Sequence, residues 1–129
     1  MLQVLIADDH EIMRKGIRSV LESRDDIEVY EAKDGKEAIE KTHELHPHLV
    51  ILDVSMPVLD GFSAAREIKK VFPHIPVLIF SLVRTEAFTE VAKKIGVSGY
   101  ISKNDVGETL LKAIDAVLKN QPFFVSPQS

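Results

Sequence analysis

Apolar runs and stretches of helical periodicity alternate from one end of the chain to the other, and this alternation restricts the fold more than any other feature. Residues 2–7 form the first apolar run, and Met13, Ile17, Val20 and Leu21 follow at the i, i+4, i+7, i+8 spacing of an amphipathic helix. Residues 27–32 alternate apolar Ile27 and Val29 with charged Glu28 and Glu31, as a half-buried strand does. After the Asp34–Gly35 turn, Ala38, Ile39, Thr42 and Leu45 share a helix face that Pro47 ends. Residues 49–52 open the third unit, and a loop over 56–61 leads to a helix with Ala64, Ala65, Ile68 and Val71 turned inward. Pro73 and Pro76 precede a strand over 77–82 and a helix bearing Phe88, Val91, Ala92 and Ile95, which Gly96 is placed to end. Residues 99–102 are the last expected strand, and Asp105 is the expected N-cap of a helix with Val106, Leu110, Ala113, Ile114 and Val117 on its inner face.

Five strand–helix units in strict alternation predict a parallel sheet covered by helices on both faces. Strands one, three and four are almost continuously apolar, as burial on both faces requires, while strand two alternates and strand five is short. Two and five are therefore the expected edges. The order 2-1-3-4-5 satisfies this, so the predicted fold class is α/β, a flavodoxin-like, doubly wound, five-stranded parallel sheet; a barrel needs about eight such units. Ligands of open α/β sheets bind beyond the carboxyl ends of the strands at the switch in winding direction, here between strands one and three.

Composition narrows the chemistry available there. The 129 residues suit one core, and sixteen Lys and Arg against twenty Asp and Glu leave a formal charge of −4, which argues against gripping a phosphate backbone. With no Cys there are no disulfides, no thiolate catalysis and no sulfur-bound zinc. No apolar run approaches the roughly 18 residues of a membrane span, and the opening Met1, Leu2, Gln3 does not read as a signal peptide, so a cytoplasmic protein is expected.

Asp8 and Asp9 end strand one and Asp53 ends strand three, so three carboxylates converge on the switch point. Two like charges about 4 Å apart repel by roughly 4 kcal/mol at an effective dielectric near 20, so the cluster must hold a proton or recruit a cation. Carboxylate oxygens in this number suit Mg²⁺ with its retained waters. Each acid alone reads as a helix cap, but caps would not all fall at the switch point. Lys103, ending strand five, and Ser81, at the end of strand four, face the same edge; singly they read as a counter-ion and a filler. Together with the acids they point to a phosphoryl group held between Mg²⁺ and Lys103. No Gly-rich nucleotide loop follows any strand. His10, His43, His46, His48 and His74 are scattered, all but His10 far from the carboxyl-end loops, and solvated or capping roles are expected for them.

On these residues the chain resembles the receiver domain of two-component response regulators. The likeness covers residues 1–120 and rests on Asp8 and Asp9, on Asp53 followed by Met56, Pro57, Asp60 and Gly61, on Ser81, and on Tyr100 three positions before Lys103. The run Ala7, Asp8, Asp9, His10, Glu11 with Arg14 and Gly16 is similar to the NarL/FixJ class, whose members usually carry a helix-turn-helix DNA-binding domain after the receiver. The resemblance implies that Asp53 accepts a phosphoryl group from a sensor histidine kinase. It implies that Asp9, Asp53 and the Ser55 carbonyl bind Mg²⁺, with Asp8 acting through water, and that Ser81 and Tyr100 form a switch, Tyr100 turning from solvent toward the space Ser81 vacates. A homodimer on phosphorylation and transcriptional output follow from the same likeness.

Three departures carry expectations of their own. Leu82 and Val83 follow Ser81 where the family often has a small residue, which would narrow access to the phosphoryl group and bear on its lifetime. Asn104 follows Lys103 where many relatives have Pro, so a cis peptide is not to be assumed there. Residues 121–129, with Pro122 and Pro127, read as the start of a linker to an output domain, so the chain is expected to be part of a longer DNA-binding regulator. The leading function is a phosphorylation-controlled signalling switch; the alternative is a phosphorylation-independent binding module acting through helix four, strand five and helix five. An enzyme turning over a small substrate would need a substrate pocket and a second general acid, and the sequence offers neither.

Overall fold

The computed structural model describes residues 1–82, 85–104 and 107–124. The elements follow in the order β1 (Leu2–Ala7), α1 (Glu11–Glu22), β2 (Ile27–Ala32), α2 (Gly35–Leu45), β3 (Leu49–Asp53), α3 (Gly61–Val71), β4 (Val77–Ser81), α4 (Glu86–Ile95), β5 (Gly99–Ser102), α5 (Glu108–Leu118) and β6 (Phe123–Phe124). The sheet runs β2-β1-β3-β4-β5-β6 with every pair parallel. The flavodoxin-like order read from the alternation therefore holds, and one short strand extends it.

The period of two along each strand divides the core. Val4, Ile6, Leu49, Ile51, Leu78, Phe80 and Ile101 pack against Ile17 and Leu21 of α1 and Leu110, Ala113, Ile114 and Val117 of α5. Their neighbours Leu5, Ala7, Val50, Leu52, Val77, Ile79 and Tyr100 pack against Ala38 of α2, Ala64, Ala65 and Ile68 of α3, and Ala92 of α4. Burial on both faces is what the continuous apolar runs of β1, β3 and β4 demand.

Side-chain caps set three helix starts. Asp34 accepts from the Glu37 amide at 2.8 Å, Asp60 from Ser63 at 3.0 Å and Thr85 from Phe88 at 3.1 Å, each satisfying an otherwise orphaned donor. Gly96, at φ 92°, closes α4 in the left-handed region as its position foretold. The N-cap of α5 is Gly107, and the residues expected to start that helix, Asp105 and Val106, lie outside the described residues, as do Val83 and residues 125–129.

The structure differs from the sequence reading at three places. Strand five is not an edge: β6 pairs with it, Phe123 donating to the Ser98 carbonyl at 2.9 Å, so residues 121–124 are not all linker. The approach is close enough that a Cβ on Gly99 would stand 2.5 Å from the Phe123 carbonyl oxygen, which is why glycine opens β5. Val71 is 50% exposed, since Phe72 and Ile75 just beyond the helix fill the buried positions instead. β4 ends at Ser81, and Leu82 turns out to solvent.

Candidate functional site

Parallel winding brings the carboxyl ends of β1, β3, β4 and β5 to one edge, and the chemistry-bearing residues are the last or next residues of those strands. Asp8 and Asp53 are buried, as is Lys103. The Lys103 Nζ lies 3.1 Å from Asp8 Oδ2 and 3.1 Å from Asp53 Oδ2, bridging two carboxylates from neighbouring strands. Its own placement follows from the sheet, because the Lys103 amide donates to the Ser81 carbonyl at 2.8 Å. Asp9 and Ser55 are exposed at the rim.

Electrostatics follow from this packing. Burial pushes the Asp53 carboxyl up to about 6, the charge of Asp8 adds to the effect, and Lys103 opposes both. Burial alone would lower the Lys103 ammonium, but its contacts with Asp8 and Asp53 outweigh that and hold it above the usual lysine range. The pair of acids is thus undercompensated by a single cation. Asp8 Oδ2 and Asp53 Oδ2, although 3.1 Å from the ammonium, accept no aligned hydrogen bond, so two buried oxygens keep unused coordinating capacity.

The loop after β3 is pinned close to the acid. Gly61 donates to the Val54 carbonyl at 2.9 Å, and a Cβ there would stand 2.0 Å from the Asp53 carbonyl oxygen, so only glycine fits. The Ser55 amide points back to Asp53 Oδ1 at 3.4 Å.

Of the residues expected to form the site, the structure gathers Asp8, Asp9, Asp53 and Lys103. Ser81 is buried at the end of β4, next to β3 in the sheet, where Asp53 pairs with Phe80. Tyr100 is only 2% exposed and already part of the core beneath α4, so the expected solvent-facing starting position does not hold in this structure. No cis peptide occurs among the described residues. Leu82 is exposed and lines a pocket of about 480 Å³ with His10, Ile12, Met13, Gly16 and Lys103.

Two residues at the site were not singled out for it by sequence. His10 Nδ1 stands 3.2 Å from Asp8 Oδ1 and 3.2 Å from Asp9 Oδ1, a proximity that a lone histidine at the start of a helix does not advertise. Arg14 donates through Nη1 to the Asp8 carbonyl at 2.7 Å and through Nε to Glu31 at 2.7 Å, tying the acidic loop to β2. The other histidines behave as expected: His46 caps α2 in the left-handed region, and His48 Nδ1 accepts from the Gln3 amide at 2.9 Å.

One donor atom each from Asp8, Asp9, His10 and Asp53 falls within 4.8 Å of the others, a spacing that one cation can span. With two buried oxygens unsatisfied beside it, the carboxylates of this set fit a hard divalent ion such as Mg²⁺. Among the described residues no helix is long and apolar enough to cross a membrane.

Residues 4–115 match the family described as the response regulator receiver domain. The response regulator protein VraR of Staphylococcus saprophyticus is 38% identical over 124 residues, 95% of this chain and 59% of that protein. The protein-glutamate methylesterase/protein-glutamine glutaminase of Methanococcoides burtonii is 42% identical over 106 residues, 80% of this chain and 30% of that protein. The chain thus spans less than two thirds of the length of these relatives. A solved two-component response regulator of the LuxR family from Aurantimonas sp. SI85-9A1 superposes with a TM-score of 0.90 at 34% identity, covering 98% of this chain and 90% of that one.

Proposed function

Because the chain belongs to the response regulator receiver family, we propose that it is a phosphorylation-controlled switch in which Asp53 takes a phosphoryl group from a sensor histidine kinase. The observation that carries this reading is the position of Lys103 Nζ, 3.1 Å from both Asp8 and Asp53. A cation held there meets the oxygens of a phosphoryl group arriving at Asp53.

The Asp53 carboxylate attacks the phosphorus of a phosphohistidine in line; an O–P bond forms, the N–P bond breaks, and the imidazole leaves with the electron pair. Asp9, Asp53 and the Ser55 carbonyl would hold Mg²⁺, with Asp8 acting through water. When bound, that ion neutralises charge on the phosphoryl oxygens. Lys103 gives up part of its contact with Asp53 to bind the incoming group. Gly61 keeps the loop after β3 close enough for Ser55 to reach the site.

The product is an acyl phosphate on Asp53, and Ser81, on the neighbouring strand, moves to donate to it. With Tyr100 already buried under α4, the signal is transmitted by repacking around that ring. The chain works in the cytoplasm as the receiver of a regulator with DNA-binding output, and homodimerisation follows phosphorylation. A phosphorylation-independent binding module finds no support in a site whose acids and lysine are all in place. Incubation with acetyl phosphate and Mg²⁺ tests the reading: the label should saturate at one phosphoryl group per chain. Continuous turnover without accumulation would indicate an enzyme instead.

A further inference from the structure

His10 occupies the N-cap of α1, yet its side chain makes no capping hydrogen bond. At that position Ser, Thr, Asp or Asn would stabilise the helix by accepting from its first amides. The ring is turned instead into the acids, with Nδ1 3.2 Å from Asp8 Oδ1 and 3.2 Å from Asp9 Oδ1. Its side chain is 65% exposed, so the ring reorients without disturbing the core. In the same cluster of residues, Asp8 Oδ2 and Asp53 Oδ2 are buried without an aligned partner.

We propose that His10 completes the pocket of Asp8, Asp9 and Asp53 as a mixed nitrogen–oxygen site that takes a borderline divalent cation such as Co²⁺ or Zn²⁺ in competition with Mg²⁺. This rests on the reading of the pocket as a cation site and adds a selectivity to it. Donors about 2.0–2.2 Å from one ion lie no more than about 4.0–4.4 Å from one another. The four donor atoms all lie within 4.8 Å of one another, so small side-chain movements close the shell.

Ligand chemistry decides which ion profits. Mg²⁺ keeps oxygen ligands and several waters, so an imidazole adds little to its binding. Co²⁺ and Zn²⁺ accept imidazole nitrogen readily, and the backbone amide of His10, already donating to Asp8 Oδ1 at 2.8 Å, keeps the ring beside the acids.

The test uses Co²⁺, whose visible spectrum reports ligand type, titrated into the intact chain and into His10→Ala and His10→Asn. The Asn variant can cap α1 and guards against a folding artefact. Only the Co²⁺ signal displaced by Mg²⁺ is counted, which removes binding at the remote His43, His46, His48 and His74. Both variants should bind Co²⁺ at least tenfold more weakly than the parent, lose the ring resonance shifted by the paramagnetic ion, and bind Mg²⁺ within twofold of it. Mg²⁺ binding with Co²⁺ affinity indifferent to His10 would overturn this inference alone. Equal weakening of both ions would do the same, since His10 would then merely shape the pocket. Absence of Mg²⁺ binding in the parent would overturn the cation-site reading and this inference with it.

Discussion

The Nζ of Lys103 lies 3.1 Å from Oδ2 of Asp53, so the cation at the end of β5 is the counter-ion of the carboxylate at the end of β3. It serves Asp8 in the same way and at the same distance. Lys103→Ala leaves two buried carboxylates facing each other, and removing one partner from a buried charge set costs about 3 kcal/mol. The variant should therefore unfold at markedly lower urea near neutral pH, and Mg²⁺ should restore part of the loss by replacing the missing charge. An unchanged midpoint, or no response to Mg²⁺, would contradict the arrangement.

Asp53 supplies a pH signature. Its carboxyl is raised to about 6 from 3.8, chiefly by burial and then by Asp8. The folded chain thus holds this proton more tightly than the unfolded chain, and stability attached to it falls as pH rises from about 4 to about 6, then levels. Asp53→Asn has no such proton. It should be more stable than the parent by on the order of 1–3 kcal/mol near pH 7, with the difference shrinking toward about pH 4. Thermal unfolding of both proteins across that range decides, and a difference that grows on acidification would be the wrong sign.

Gly61→Ala places a Cβ 2.0 Å from the Asp53 carbonyl oxygen, so the loop after β3 must retreat. A loss of about 2 kcal/mol or more is expected, with weaker Mg²⁺ binding because Ser55 retreats with the loop. Gly16→Ala, where nothing lies within 4 Å of the added carbon, is the matched control and should leave Mg²⁺ binding unchanged.

Ser81→Ala should still accept a phosphoryl group at Asp53 but transmit it poorly. Amide exchange along α4 and β5, with and without beryllofluoride as a phosphoryl mimic, should change in the parent and change less in the variant. A full response in Ser81→Ala would remove Ser81 from the switch.

Most of the fold was legible in the sequence because burial on two faces writes an unbroken apolar run, as in Val4, Leu5, Ile6 or Val77, Leu78, Ile79, Phe80. Phe123 and Phe124 escaped because two residues after a proline are too few to show a period, and their pairing depends on the absent side chain of Gly99. The acids and Lys103 were legible from position alone, since each ends a strand at one sheet edge. His10 was legible as near those loops but not as a neighbour of the acids, because its contact with Asp8 and Asp9 arises from the turn into α1 and from a cap the ring declines to make. Tyr100 was found but not its rotamer: β5 is covered by β6, and the ring lies beneath α4 before any signal arrives.

The central claim is that Asp53 is the phosphoacceptor, and intact-mass spectrometry after incubation with acetyl phosphate tests it most directly. The parent should gain one phosphoryl mass only when Mg²⁺ is present, with the label mapping to Asp53, and Asp53→Asn should gain none. An equal gain by Asp53→Asn, or labelling of the parent that is indifferent to Mg²⁺, would contradict it.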